Sequence, residues 1–273
     1  MKFDIVHISD LHFGNPLAHQ KSSDIKIALD SLLGVVENKI GSFLVISGDV
    51  TFKGSPDGYA EAQEIIRSAI IKNGFNLRNV LVCPGNHDLI KSGGRLGFSL
   101  FDAWSAGIRN DTQCRFNNSG ACFIKSDDVD FLLMNTSYHL DHKMGKVDLV
   151  KVKALLEEHC PEKTSHRFRI AIAHHHFIPV EDEDSSTTRN AYSVLSLLDD
   201  YGFSALLHGH QHARLSCRLG ARGMKISGVG SMSYLTPGYI NSVAIYNCDD
   251  QEIKEIKYYG LTLDSSTGLV DIK

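Results

Sequence analysis

Val80-Leu81-Val82-Cys83-Pro84-Gly85-Asn86-His87-Asp88 sets a short apolar run against a Pro-Gly break, followed by three side chains able to bind protons or metals. The run reads as a buried strand, and the break ends it. Working outward toward the N-terminus, the same arrangement recurs twice. Phe43 to Ser47 reads as a strand running into Gly48-Asp49, and Phe3 to Ser9 as a strand running into Asp10-Leu11-His12. Between these runs, Ile25 to Ile40 places Ile25, Ala28, Leu29, Leu32, Val35 and Val36 at helical spacing, and Ser55-Pro56 offers an N-cap and first-turn proline for a helix to about Lys72. This βαβαβ alternation predicts parallel strands covered by helices, with functional residues in loops at the strands' carboxyl ends.

Beyond Asp88, residues 89–118 are glycine-rich and then helical around Leu100 to Ala106, a candidate lid or surface excursion. Strands are expected at Ala121 to Lys125 and Asp130 to Thr136, then a helix from Asp148 to His159, a strand at Arg169 to Ala173, a helix at Ala191 to Tyr201 and a strand at Phe203 to His208. Four further strands follow: Leu215 to Leu219, Met224 to Val229, Ser242 to Cys248 and Glu252 to Tyr259. With no long Pro/Gly/Ser linker and no repeat, residues 1–273 read as one α/β domain of two packed sheets with helices outside them. The polar stretch from Glu181 to Thr188 reads as a solvated surface turn.

The totals narrow the function classes. At 273 residues, 42% hydrophobic and 22% charged, the chain can bury a sizeable core, which excludes a disordered tail or a disulfide miniprotein. A net charge of -4 supplies no global basic field for DNA or anionic membranes. The six cysteines form no Cys-x-x-Cys pair, so they read as reduced, mostly buried thiols. An acid and a histidine stand where a signal peptide needs an apolar run, and no 18 apolar residues follow one another, so a cytoplasmic protein without a membrane partner is expected. The conspicuous total is 14 histidines.

Several of them fall in five short motifs just after expected strands: Asp10-Leu11-His12, Gly48-Asp49, Gly85-Asn86-His87-Asp88, His174-His175-His176 and Gly209-His210-Gln211-His212. Each is weak alone, because Gly-Asp is a common turn and a single strand-end histidine is usually structural. Together they supply carboxylate, amide and imidazole ligands from one edge of one sheet. Two divalent metals roughly 3.5–4 Å apart need a bridging carboxylate to dilute their repulsion and neutral ligands that leave their Lewis acidity intact. Asp49 is the natural bridge. Glycines 48, 85 and 209 are expected to turn the backbone sharply. Alternation in Asp10-Leu11-His12 and His210-Gln211-His212 fits an extended chain. His7 and His208, within strands, read as packed core residues, and His139 and His142 as surface residues.

These five motifs, in this order, resemble the calcineurin-like metallophosphoesterase superfamily over residues 1 to about 215. The resemblance implies a four-layer α/β/β/α fold, a two-sheet β-sandwich flanked by helices. It implies two divalent metal ions, Mn²⁺, Fe²⁺/Fe³⁺ or Zn²⁺, one held by Asp10, His12, Asp49 and His212 and the other by Asp49, Asn86, His174 and His210. His174 takes the ligand place because it comes first after its strand, and Phe177 replaces the proline usual in that signature. It further implies a metal-bridging hydroxide as nucleophile, with His87 stabilising the transition state or protonating the leaving alkoxide and Asp88 orienting His87. His175 and His176 are mainly structural by this reading, with one of them a candidate for substrate contact.

The chain lacks the Asp-Arg pair of the superfamily's serine/threonine protein phosphatases, reading Gly48-Asp49-Val50-Thr51-Phe52-Lys53-Gly54. It is more similar to the bacterial class III cyclic-nucleotide phosphodiesterases, with Arg189 and Asn190 as further candidate substrate contacts. The expected partner is a small phosphoester, a nucleotide by preference. A phosphomonoesterase is an open alternative, as is a nuclease using Arg214, Arg218, Arg222 and Lys225 against nucleic acid, or a protein-binding scaffold with little catalysis. A homodimer is compatible with all of these.

Overall fold

The computed structural model describes residues 2–90, 97–127, 129–139, 143–163, 167–234, 240–249, 252–262 and 267–272. The chain alternates strand and helix from its start: β1 (Phe3–Ile8), α1 (Ser22–Gly34), β2 (Phe43–Ile46), α2 (Pro56–Lys72), β3 (Val80–Val82) and α3 (Ser99–Arg109). Next come β4 (Ala121–Lys125), β5 (Val129–Met134), α4 (Leu149–His159), β6 (Phe168–Ile172), α5 (Ala191–Asp200) and β7 (Ala205–His208). The chain closes with β8 (Leu215–Leu219), β9 (Met224–Gly228), β10 (Ser242–Asp249), β11 (Glu252–Leu261) and β12 (Leu269–Ile272). Ser55 accepts a hydrogen bond from the Gly58 backbone N–H at 3.1 Å with Pro56 behind it, the start expected for α2.

Two six-stranded mixed sheets result, ordered β12-β11-β10-β1-β2-β3 and β4-β5-β6-β7-β9-β8. In the first, β1, β2 and β3 are parallel; in the second, β5, β6, β7 and β9 are. Period-two alternation assigns the faces of the second sheet. Phe131, Leu133, Ile170, Ile172, Ala205 and Leu207 join a core shared with the first sheet and with α1, α2 and α3. Leu132, Met134, Ala171, Ala173 and Leu206 point the other way, into a separate cluster with Val152, Leu155 and Leu156 of α4 and Val194, Leu195 and Leu198 of α5. The order is therefore helices, sheet, sheet, helices, as the resemblance implies. Burying each such Leu or Ile contributes roughly 1.5–3 kcal/mol, so a charge at Leu132 would split α4 and α5 from their sheet.

Several expectations change. The first helix stops at Gly34, and Val35 is exposed; glycine and a β-branched pair are poor helix formers, and the Asn38 side chain makes a turn by accepting from the Gly41 N–H. From Gly97 on, the candidate lid is core: Phe98, Phe101, Trp104, Ile108 and Phe116 are buried with α2 and the first sheet, while residues 91–96 lie outside the described residues. The reading of reduced thiols is corrected at one pair, since Cys114 and Cys122 are joined by a disulfide. The segment leaving α3 turns at Asn110, which has positive φ, and returns beside β4, bringing the two Cα atoms to 5.5 Å despite the lack of any short cysteine motif. Among the described residues no helix is long and apolar enough to cross a membrane.

Candidate metal centre

The parallel strands of both sheets end on the same side of the molecule. Asp10 and His12 follow β1, Asp49 follows β2 and Asn86 follows β3, while His174 follows β6 and His210 and His212 follow β7. The expectation of one edge of one sheet is thus corrected: two sheets supply the cluster across their seam. His174 Nε2 lies 3.3 Å from Asp49 Oδ2, and the His210 backbone N–H donates to Asp10 Oδ2 at 3.0 Å.

The side chains form two groups, Asp10 with His12 and His212, and Asp49 with His174 and His210, each with its ligand atoms within 4.8 Å of one another. In the first, Asp10 Oδ1 lies 3.2 Å from His212 Nε2 and 3.8 Å from His12 Nε2, yet this buried oxygen accepts no well-formed hydrogen bond from the described residues. In the second, His174 Nδ1 donates to the Ser47 carbonyl at 2.8 Å, which leaves Nε2 as the nitrogen that gains or loses the ring's second proton. That nitrogen faces Asn86 Oδ1 at 3.0 Å and His210 Nδ1 at 3.1 Å as well as Asp49. Polar atoms brought this close in a buried space need a proton or a metal cation among them. Asp49 Oδ2 is also 3.9 Å from His12 Nε2, which puts this carboxylate between the groups.

Electrostatics separates the imidazoles. Burial pushes His12 down to about 4 and His210 down to about 3, so both rings are neutral at pH 7. For His174 burial acts the same way, but the charge of Asp49 overrides it and raises the ring to about 9. Burial opposes the charged forms of Asp10 and Asp49 too, yet the neighbouring histidines hold both carboxyls well below their ordinary range.

The backbone that carries these side chains is not extended. Asp10, His12, Asp49, His210 and His212 all have φ between 46° and 74°, in the left-handed region that costs non-glycine residues roughly 1–2 kcal/mol each. Left-handed kinks, rather than an extended chain, make the ligands alternate with Leu11 and Gln211. Gly48 turns sharply as expected, with φ 95°. Gly85 and Gly209 act through close approach instead: a Cβ on Gly85 would run into the Asp49 carboxylate, and one on Gly209 into Ser9 and Asp10. The kink at Asp10 is held by groups no strand-end motif announced, since Ser231 Oγ donates to the Asp10 carbonyl at 2.7 Å and Ser233 Oγ at 3.3 Å. β9 runs parallel to β7 and ends at Gly228, so the strand-end rule applied to β9 points to these serines.

The remaining candidates divide. His87 sits half-buried at the rim, its backbone N–H donating to Asp49 Oδ1 at 2.7 Å and its ring edge-on to His12 and stacked on Phe52. Asp88 does not orient that ring. Its carboxylate is buried and accepts from the N–H groups of Val50, Thr51 and Gly85 and from the Tyr59 hydroxyl, tying the loops after β2 and β3 to α2. Burial and the nearby Asp49 push it up to about 7. His175 is buried with Nδ1 2.7 Å from Thr136 Oγ1, and His176 pairs with Asp184. Asn190 exchanges two hydrogen bonds with the Val147 backbone as a structural tie, whereas Arg189 is exposed, its Nε 2.6 Å from Met144 Sδ. His7 and His208 are buried as expected, His7 between Tyr246 and Ser47; His139 is exposed, and His142 lies outside the described residues.

A family model described as Calcineurin-like phosphoesterase matches residues 3–214. The chain is 24% identical over 230 residues to a "Probable cyclic nucleotide phosphodiesterase" from Ruthia magnifica subsp. Calyptogena magnifica, covering 81% of this chain and 84% of that protein. It is 23% identical over 219 residues to a protein of the same description from Vesicomyosocius okutanii subsp. Calyptogena okutanii (strain HA), covering 78% and 79%. A solved dimetal phosphatase from Danio rerio shares the fold with a TM-score of 0.68 at 11% identity, covering 99% of this chain and 98% of that one.

Proposed function

The chain belongs to the calcineurin-like phosphoesterase family, and from that membership we propose that it is a dinuclear metal-dependent phosphodiesterase acting on a cyclic nucleotide or another small phosphodiester. Asp10, His12, Asp49 and His212 would hold one divalent ion, and Asp49, Asn86, His174 and His210 the other. The observation that carries this reading is the convergence of buried oxygen and nitrogen atoms around His174 Nε2 beside a second group built on Asp10. Divalent ions bound there would supply Lewis acidity toward a phosphoester and activate water at neutral pH.

The chain's own residues do the rest. Neutral His12 and His210 present lone pairs without needing to lose a proton. Asp49 spans both positions and, through the His87 backbone, fixes where the His87 ring stands. From the rim, that ring reaches the leaving oxygen and protonates it. The relatives described as probable cyclic nucleotide phosphodiesterases support the choice of a diester.

The nuclease reading is weaker, because the basic hairpin is engaged elsewhere: Arg214 lies over the Tyr258 ring at 5.1 Å and Arg218 is 3.8 Å from Glu252. The test is metal content after desalting of Mn²⁺-loaded protein. About two ions per chain are expected for the wild type, and Asp49→Ala should lose at least one. Failure of the wild type to retain Mn²⁺ would sink the dinuclear reading.

A further inference from the structure

The acidic segment from Glu181 to Thr188, which as sequence resembles a solvated turn, has one carboxylate folded inward. The Asp184 side chain is 6% exposed, and its Oδ2 lies 2.5 Å from His176 Nε2, whose own side chain is 0% exposed. Asp184 Oδ1 accepts from the N–H and hydroxyl of Ser186 at 2.9 and 2.7 Å. Glu183 turns the chain there with φ 62°. The Thr188 N–H donates to the His176 carbonyl at 2.9 Å, closing the segment onto the loop after β6.

Asp184 also reaches the loop after β7. Gln211 Nε2 donates to Asp184 Oδ2 at 3.1 Å and to Ser186 Oγ at 2.5 Å. Gln211 stands between His210 and His212, and its own N–H donates to the Gly209 carbonyl at 3.0 Å. With φ 74° at His210, this is a three-residue turn of the rare, strained kind. The His176 ring stacks on the His210 ring at 5.6 Å and 16°, so Asp184 bears on His210 both through the residue beside it and through the ring against it.

We propose that residues 180–188 are a strap that fixes the His210 turn, making Asp184 a positioning residue for one of the two metal positions. The inference rests on the dinuclear reading above. Asp184 touches neither ion nor substrate in this account; a strained turn needs an anchor outside itself, and Asp184 with Ser186 supplies one to Gln211.

Cobalt(II) titration followed by visible absorption tests this on Asp184→Ala and Gln211→Ala, with Asp182→Ala, an exposed carboxylate on the same segment, as control. The wild type and the control should take up two ions. In both test variants one ion should bind about 10- to 100-fold more weakly, with its absorption band altered in shape, while the other is retained. Should Asp184→Ala fail to fold, Gln211→Ala keeps the strap's own bonds to Ser186 and His176 and carries the same readout. Absence of cobalt uptake by the wild type overturns the dinuclear reading and the strap's purpose with it. Wild-type uptake of two ions with unchanged affinity and band shape in the test variants overturns the strap alone.

Discussion

His174 Nε2 stands 3.3 Å from Asp49 Oδ2, and this pair joins the loop after β6 in one sheet to the loop after β2 in the other. Burial favours a neutral ring at His174, but Asp49 raises it to about 9, so below that pH the nitrogen that would take an ion carries a proton. Metal uptake should therefore release a proton. Affinity should rise about tenfold per pH unit between roughly pH 7 and 9. The same shift acts on the metal-free protein. A histidine raised above its ordinary 6.5 contributes stability that is complete below 6.5 and lost as pH rises through about 9. Calorimetry should give a lower Tm at pH 9 than at pH 7 without metal, with a smaller difference when metal is bound. An affinity independent of pH over this window would contradict the pairing.

His87 is positioned by its backbone and by Phe52, and among the described residues no carboxylate hydrogen-bonds its ring. His87→Ala should keep both ions, as read from the cobalt spectrum, and lose about 10²- to 10⁴-fold in kcat/KM on diesters with alkyl leaving groups. The loss should shrink for nitrophenyl leaving groups, which need no proton. Phe52→Ala should move in the same direction by less. Equal losses on both substrate types would remove the acid role from His87.

Asp88 predicts a different signature. In Asp88→Asn a single side-chain oxygen faces donors now shared between two, so some of the N–H groups of Val50, Thr51 and Gly85 lose their acceptor. Each orphaned donor costs roughly 1–3 kcal/mol, and Tm should fall clearly. The dependence of rate on leaving group should stay as in the wild type. A changed dependence would restore Asp88 to the chemistry.

Gly85→Ala removes no ligand, yet its Cβ would run into Asp49, so metal uptake should fall nearly as far as in Asp49→Ala. Gly74→Ala is the control: its φ is 75° but its Cβ would meet open space, so it should cost about 1 kcal/mol of stability and leave metal binding intact. Normal metal content in Gly85→Ala would show that Asp49 can relocate.

What the sequence made legible follows from chain order. A parallel βαβ pattern dictates that Asp10, Asp49 and Asn86 gather at strand ends, and the helix at Pro56 announces itself through Ser55. Backbone handedness has no spacing signature, so the left-handed kinks at Asp10, His12, His210 and His212 look like extended chain in the sequence, and that at Asp49 is not marked there at all. Contacts between segments far apart escape the same way. Nothing in Glu181-Asp182-Glu183-Asp184 marks which acid turns inward, and Cys114 meets Cys122 only because the chain doubles back after α3. Nor does the Asn-His-Asp motif tell that Asp88 faces away from His87, since three residues on a tight turn point three ways.

The central claim is a two-metal centre that cleaves a phosphodiester. Its most direct test is turnover by Mn²⁺-loaded protein on a linear diester, 2′,3′- and 3′,5′-cyclic nucleotides, a monoester and single-stranded nucleic acid, with Asp49→Ala as the blank. Small or cyclic diesters should be hydrolysed at least about tenfold faster in kcat/KM than the monoester, a difference of about 1.4 kcal/mol, with nothing above background for Asp49→Ala. Preference for the monoester, or turnover that survives loss of Asp49, would contradict it.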